Sequence, residues 1–200
     1  MANVNATCPA GTVLIERGGK VHPDEPSFCL EITEVTRAAE RAYWGKRQKS
    51  EFKGIVKWAL WKEDNKPANL RTWHEARQYC AAKYQGGDLP TNKQWEKACG
   101  DKKYCTASGE LKPSEADIGS DTERGPAEVT AFPPNSQGVK NMTGGVAEWI
   151  RDSSMYGKYI RGGSWDDNTE WSFSSLTEGD PDESYLTVGF RCVAQPISKK

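Results

Sequence analysis

The chain has 200 residues, a length that suits one domain with a buried core of its own. Its 27 Lys and Arg residues nearly balance its 28 Asp and Glu residues, so the net charge is -1. This balance argues against nucleic-acid binding, which requires a strongly basic surface. No apolar run reaches the roughly 18 to 20 residues that span a bilayer. The sequence therefore predicts a single domain, residues 1–200, that does not insert into a membrane.

The first part of the chain predicts two strands, a helix and a third strand. GTVLIE (11–16) and SFCLEI (27–32) are short apolar runs bounded by turn residues, as strands usually are. TRAAERAYWG predicts a helix that begins at Thr36 and ends before Gly45. GIVKWALW (54–61) predicts another strand.

Two capped helices are predicted in the middle of the chain. Thr72 and Glu75 have the spacing of a capping box, and so have Thr91 and Gln94. In the first of these helices, apolar residues recur at helical intervals and carry Cys80 to the buried face. Glycines follow both segments and predict where the helices end.

The C-terminal part predicts two strands, KYIRGG (158–163) and VGFRCVA (188–194). Short strands around a few compact helices, together with 19 glycines, indicate an α+β domain rich in loops. Residues 162–190 contain seven acids and no Lys or Arg. A solvated loop is the simplest interpretation of such a charge run.

The six cysteines favour disulfides over a metal centre, because only two histidines accompany them. No two cysteines have the Cys-x-x-Cys spacing of zinc ribbons or thioredoxin-like redox motifs. Disulfides form in oxidising compartments, and reduced buried cysteines are the alternative. The number of possible connectivities leaves the pairing open on these grounds alone.

Six segments of the chain carry motifs that are specific when they are taken together. They are CPAGTVLIERG, FCLEITEVTRAAERAYW, TWHEARQYC, GGDLPTNKQWEKAC, VTAFPPNSQGVKNMTGGVAEWIRD, and RGGSW with GFRCV. In this order they resemble the sulfatase-modifying-factor superfamily, whose best-known member is the formylglycine-generating enzyme. Six ordered motifs that cover the chain nearly end to end are far more specific than one. The resemblance implies a variant of the C-type lectin-like fold. Gly145 departs from the family pattern, which has Asn there.

The resemblance places two copper-binding cysteines of the enzymes just after RGGS, where this chain has Asp167 and Ser172. Copper(I) and oxygen chemistry needs soft thiolates, and a carboxylate and a hydroxyl do not replace them. We therefore expect a non-catalytic recognition, sensor or adhesion domain. One alternative is an oxidase of formylglycine-generating type whose cysteines lie elsewhere. Another is a retroelement-diversified lectin-like receptor, a class that shares this fold.

The segment after RGGS is the expected ligand-binding surface. Flat aromatic side chains beside polar acceptors suit a peptide, a sugar or a basic protein surface. The predicted ligand-binding residues are Trp165, Asp166, Asp167, Asn168, Glu170, Trp171 and Tyr185. Burial of Trp165 and Phe173 in the core is the alternative. A glycosidase-like pair among the acids is another alternative.

A calcium site is implied by the resemblance as well. The matching ligand positions are Asn141, Gly144, Val146 and Glu148, which offer the oxygen donors that a hard cation prefers. The alternative is that Glu148 bonds backbone amides in a core turn.

The family also has a disulfide between the positions that match Cys80 and Cys192. It would close a loop of about 110 residues and raise the free energy of unfolding by about 3 to 5 kcal/mol. The other four cysteines are expected to pair locally, Cys8 with Cys29 and Cys99 with Cys105. Such a protein would be periplasmic, displayed at the cell surface or secreted, in some cases as part of a larger membrane-anchored protein.

Overall fold

The computed structural model describes residues 6–45, 63–119, 125–168, 170, 173 and 175–198. The helices are α1 (Arg37–Trp44), α2 (Trp73–Lys83) and α3 (Asn92–Cys99). The strands are β1 (Ala6–Thr7), β2 (Thr12–Ile15), β3 (Phe28–Glu31), β4 (Ala147–Ser153), β5 (Lys158–Arg161), β6 (Leu176–Gly179), β7 (Val188–Gly189), β8 (Val193–Ala194) and β9 (Ile197–Ser198). These elements confirm the α+β class.

The strands of the described residues form three small sheets. β1 pairs with β9, β2, β3 and β8 form a three-stranded sheet, and the largest sheet has the order β6-β5-β4-β7. Neighbouring strands are antiparallel except β4 and β7, which run parallel. The first and last strands are paired, so the two ends of the described chain meet in one sheet.

All three helices begin where the capping pattern predicts. The Thr72 hydroxyl accepts from the Glu75 amide, and the Glu75 side chain accepts from the Thr72 amide, which completes the capping box. The same reciprocal pair forms between Thr91 and Gln94 at α3. Thr36 caps α1 through the amide of Ala39. Each cap satisfies amides that the first turn of a helix leaves without an intrahelical partner.

The C-terminal strand prediction is only partly correct. The segment VGFRCVA does not form one strand but two, β7 and β8, which belong to different sheets. The break lies at Phe190, Arg191 and Cys192, whose side chains are all fully buried. Strands β1, β4, β6 and β9 are additions to the predicted set. The strand predicted over 54–61 lies outside the described residues.

Arg191 occupies this break and is 0 % exposed. Its Nε and Nη2 donate to Oε1 of Glu148 at 2.8 and 2.6 Å. Its Nη1 donates to the carbonyl of Glu31 at 3.1 Å, and its Nη2 to that of Lys140 at 2.8 Å. The other Glu148 oxygen accepts from the indole nitrogen of Trp95 at 2.9 Å. One buried ion pair therefore joins α3 to strands of two sheets.

The cysteine pairing is as predicted for all three bonds. The structure contains Cys8–Cys29, Cys80–Cys192 and Cys99–Cys105, and no cysteine is left free. The Cys80–Cys192 bond joins α2 to the segment before β8 across 112 positions of sequence. Three disulfides point to an oxidising compartment. Within the described parts of the chain, no helix has the length and apolarity to cross a membrane.

We expect the Arg191→Met variant to lose about 3 to 5 kcal/mol of unfolding free energy, because Glu148 would remain buried without its cation. Adding Glu148→Gln should recover part of this loss, since the uncompensated charge is then removed. Urea unfolding of both single variants and the double variant measures the coupling. Additive losses would contradict this role for the ion pair.

Replacing Cys80 and Cys192 together by Ala should cost about 2 to 5 kcal/mol, because a long loop of the unfolded chain is released. The matched control replaces Cys99 and Cys105, which close a loop with a separation of only 6. That change should cost less in the same urea titration. Equal losses would show that loop length does not determine the difference.

Candidate functional site

A cleft of about 260 Å³ lies on one face of the four-stranded sheet. Each strand of this sheet contributes to it, with Ala147 from β4, Ile160 from β5, Thr177 from β6 and Val188 from β7. The apolar members of this set are buried and form its floor. A larger cavity of about 500 Å³ lies between the loop after β2 and the end of α3, away from the predicted ligand-binding residues.

Polar groups form the walls of the cleft. Asp167 brings a carboxylate, and Ser175, Tyr185 and Thr187 bring hydroxyls. Glu178 also lines the cleft, but its side chain alternates to the face of β6 opposite Thr177 and is exposed. The Ser175 Oγ is buried and has no hydrogen-bond partner within the described segments. The Tyr185 hydroxyl accepts from a backbone amide at 2.9 Å, so the ring is held at the rim. The cleft thus combines an apolar floor with acidic and hydroxyl-bearing walls.

The RGGS turn shapes one side of this cleft. Gly162 and Gly163 have φ of 96° and 66°, values that side chains disfavour. A Cβ on Gly162 would lie 2.8 Å from the carbonyl oxygen of Met142. Arg161 donates to the side chain of Asn92 at 2.8 Å and forms an ion pair with Glu96. The turn is therefore held by backbone shape and by contacts to α3.

Asp167 follows the turn and is half-buried. Its Oδ2 accepts from the Ser164 amide at 2.7 Å and from the Ser164 hydroxyl at 2.9 Å. Its carbonyl accepts from the Gly119 amide at 2.9 Å. One carboxylate oxygen is thus used within the turn. This fixes the carboxyl group at the edge of the cleft.

The structure brings together only part of the predicted ligand-binding set. Asp167 and Tyr185 share the cleft, whereas Asp166 and Asn168 are exposed beside it. Glu170 is exposed and its carboxylate lies 2.7 Å from the ammonium of Lys103. Trp171 lies outside the described residues, as does Ser172.

Trp165 needs a correction. It is 1 % exposed and packs in a cluster with Val146 and Leu186, so it presents no area to a ligand. Phe173 is 3 % exposed. The alternative that both aromatic residues belong to the core is therefore the one that the structure shows. Tryptophan gains more from burial of its large ring than from exposure, and the adjacent glycines turn the chain so that Trp165 enters the core.

The residues proposed for calcium lie around the buried ion pair. Both oxygens of Glu148 already accept hydrogen bonds, one from Arg191 and one from Trp95. The backbone amide of Gly144 donates to the Gly162 carbonyl, and Val146 packs in the core. The structural alternative had Glu148 bonding backbone amides. Its actual partners are two side chains.

Glu34 is a residue of this region that the sequence did not single out. Both of its carboxylate oxygens, and Oδ1 of Asn141, are buried and have no hydrogen-bond partner among the residues described. A Cβ on Gly145 would lie 2.7 Å from Oε1 of Glu34, so the glycine at this departure from the family pattern makes room for that carboxyl group. The available signal in the sequence was its place in the family motif FCLEITEVTRAAERAYW, in which Glu34 precedes Val35 and Thr36.

Burial dominates the electrostatics of Glu34. It raises the pKa of this carboxyl from its ordinary value to about 8, while the Arg191 guanidinium opposes the shift and the charge of Glu148 adds to it. Burial also disfavours the charge on Arg191, but carboxylates led by Glu148 outweigh it and raise the pKa of the guanidinium. Within the described residues, no cluster of three or more His, Cys, Asp or Glu side chains is arranged to hold a metal.

Four polar residues of the cleft were missed from sequence: Ser175, Thr177, Glu178 and Thr187. Glu178 stood out only as one of seven acids in a run. Thr177 carried no signal, because its position depends on the pairing of β6 with β5, which was not predicted.

Three curated relatives share part of their length with this chain. The formylglycine-generating enzyme of Mus musculus is 26 % identical over 170 residues, covering 66 % of this chain and 45 % of that protein. The enzyme of the same name from Thermomonospora curvata is 27 % identical over 174 residues, covering 66 % and 57 %. The hercynine oxygenase of Mycolicibacterium smegmatis is 28 % identical over 165 residues, covering 63 % and 37 %. The chain spans about half the length of these relatives or less.

Solved structures share the fold over nearly the whole chain. Treponema denticola variable protein 1 superposes with a TM-score of 0.69 at 19 % identity, covering 96 % of this chain and 94 % of that one. CarF gives 0.68 at 20 % identity, covering 96 % and 100 %. The P3c variant of the Major Tropism Determinant gives 0.50 at 14 % identity, covering 97 % and 55 %. These similarities show the fold alone.

The predicted C-type lectin-like variant of the α+β class is confirmed by these neighbours. The predicted resemblance is confirmed by a family model that matches residues 8–196. The chain therefore belongs to the family of the sulfatase-modifying factor enzyme 1-like domain.

Proposed function

We propose that this chain is a non-catalytic recognition domain that holds its ligand in the cleft over the four-stranded sheet. The observation that carries the proposal is the position of Asp167. The family resemblance assigns this position to a copper-binding cysteine, and here a fixed carboxylate stands at the edge of the cleft. The site keeps the shape of a binding cleft but has an oxygen donor in place of sulfur.

The state of the cysteines supports this proposal. Copper(I) binding and oxygen activation require free thiolates, and all six cysteines of the chain are in disulfides. The alternative, a copper-dependent oxidase that acts on a peptide cysteine, would need one of these bonds to open. We place the domain in the periplasm, at the cell surface or among secreted proteins, where the disulfides persist.

We expect the native protein, denatured without reductant, to yield no free thiol in a colorimetric thiol assay. Supplied with copper(I) and oxygen, it should form no formylglycine from a cysteine-containing peptide, because no thiolate is available to hold the metal. Mass spectrometry of the peptide, beside a protein-free control for copper-catalysed disulfide formation, checks the second expectation. Formylglycine that appears only with the protein would contradict the proposal and support the oxidase.

Recognition through the cleft is tested by filling it. Thr177→Trp places a large ring against the floor and should weaken the binding of any ligand found on peptide or glycan arrays by about tenfold or more. Gln137→Trp adds the same ring at an exposed position outside the cleft and is the matched control. Array hits are titrated by biolayer interferometry. Ligands that bind Thr177→Trp as well as the wild-type protein would place recognition elsewhere.

We further propose that the domain binds calcium beside Glu34. Calcium takes oxygen ligands, and the oxygens of Glu34 and Asn141 that lack hydrogen bonds are of this kind. Gly144 and Gly145, both at positive φ, curl the backbone next to these side chains. Glu34 therefore replaces Glu148 as the main carboxylate ligand, because Arg191 and Trp95 already occupy Glu148. When bound, the ion would supply structural order rather than chemistry at the cleft.

Calcium at about a hundredfold excess over its Kd should stabilise the fold by about 2.7 kcal/mol, or roughly 5 to 10 °C in Tm. Excess EDTA should reverse this shift. Glu34→Gln should abolish the shift, whereas Glu16→Gln, which changes an exposed carboxylate after β2, should retain it. Differential scanning calorimetry measures both variants. An unchanged wild-type Tm across millimolar calcium would contradict the site.

A further inference from the structure

We infer that the cleft takes the ring of a neutral sugar, one monosaccharide unit at a time. This inference rests on the proposed recognition function and names the chemistry of its ligand. It depends on three features of the described residues: polar groups with unused hydrogen-bonding capacity, a lining without basic side chains, and a small apolar floor.

The hydroxyl of Ser175 lies on the same side of the sheet as the cleft floor. Ile160 and Thr177 are cross-strand partners, so their side chains share a face of the sheet. Ser175 stands two positions before Thr177, and side chains at that spacing along an extended chain point to the same face. Its Oγ is buried, borders the cleft and has no hydrogen-bond partner within the described segments. A ligand hydroxyl would remove the free-energy cost of this unpaired group.

Tyr185 and Asp167 have complementary requirements. The Tyr185 hydroxyl accepts from the Asp180 amide at 2.9 Å, and its own proton has no acceptor among the described residues. Oδ2 of Asp167 accepts twice from Ser164, whereas Oδ1 has no donor in the same parts of the chain. The tyrosine therefore requires an acceptor on the ligand, and the carboxylate requires a donor. A sugar hydroxyl supplies both, whereas an ammonium or guanidinium group only donates.

The charge of the lining favours a neutral ligand. No Lys, Arg or His of the described residues lines the cleft, and Asp167 stands at its edge. An acidic sugar would bring a second negative charge without a cation to compensate it, which is unfavourable in a partly desolvated site. Neutral hydroxyls would instead donate to the Asp167 carboxylate in charge-assisted hydrogen bonds.

The floor and the size of the cleft suit a single ring. Ala147, Ile160 and Val188 are buried and apolar, and they form the floor. A sugar ring has C–H groups on its faces and hydroxyls around its edge, so a face would cover the floor while the hydroxyls reach the polar walls. The volume of about 260 Å³ is below the range of roughly 300 to 1,000 Å³ that holds drug-sized molecules. One unit of a longer glycan would therefore enter the cleft.

The experiment measures binding of the intact chain to the methyl glycosides of glucose, galactose and mannose by saturation-transfer difference NMR. Methyl glucuronide adds a carboxylate to the same ring, and tetrahydropyran-2-methanol keeps the ring without its hydroxyls. We expect at least one neutral glycoside to bind with a Kd on the order of 1 mM, and both comparison compounds to bind at least about tenfold more weakly. Comparison compounds that bind as tightly as the neutral glycosides would overturn the inference. So would the absence of saturation transfer to all three glycosides at about 50 mM.

Two pairs of variants test the polar groups. Ser175→Ala and Asp167→Asn should each weaken the bound glycoside by about tenfold, and Ser175→Ala should not lower Tm, because its hydroxyl has no partner in the described fold. Ser153→Ala and Glu183→Gln make the same changes at exposed positions outside the cleft and should change binding less than about twofold. Unchanged binding in both cleft variants, or equal losses in all four, would overturn the inference.

The outcomes distinguish this inference from the function beneath it. A peptide whose binding is lost in Thr177→Trp, without binding of any neutral glycoside to the wild-type protein, would overturn the inference and leave the recognition function standing. Glycoside binding that survives in Thr177→Trp would overturn both.

Discussion

The buried pair of Arg191 and Glu148 is the interaction on which the rest of this domain depends. Two charges removed from water are unfavourable unless hydrogen bonds surround them, and here they are surrounded. The guanidinium donates to the carbonyls of Glu31 and Lys140 as well as to Glu148. Glu148 also accepts a hydrogen bond from the indole nitrogen of Trp95. Because the planar guanidinium directs its donors in fixed directions, the pair sets the position of α3 against strands of two sheets.

The same pair explains why the C-terminal strand is broken. Arg191 reaches the centre of the molecule only if the chain leaves one sheet after β7 and joins another at β8. Cys192 follows at once and is tied to Cys80 of α2. β7 runs beside β4 and brings Val188 next to Ala147, which are two parts of the cleft floor. The core interaction therefore also determines where the cleft lies.

Under the proposed recognition function, the RGGS turn supplies the shape of the cleft and the residues after it supply its chemistry. Glycines in the RGGS turn hold the chain close to neighbouring backbone, so the turn survives changes in the residues after it. The family resemblance aligns Asp167 with a metal-binding thiolate of the enzymes, and a carboxylate is a hard ligand where a thiolate is soft. Such a group attracts cations and hydrogen-bond donors but does not cycle through oxidation states. On this proposal, the residues after the turn determine what the site holds, while the turn itself belongs to the fold.

The sequence by itself predicted the three helices and the strands β2, β3 and β5, and its ordered motifs indicated the family and, through the family, the Cys80–Cys192 disulfide. These features depend on local patterns such as the Thr72 cap, or on ordered motifs that resemble a known family. Only the tertiary structure decided that Trp165 is buried, that Arg191 takes Glu148 as its partner and that Thr177 lines the cleft. The physical reason is that each of these outcomes depends on pairing between residues far apart in the chain. Neither periodicity nor spacing records which distant group will satisfy a buried charge or cover an aromatic ring.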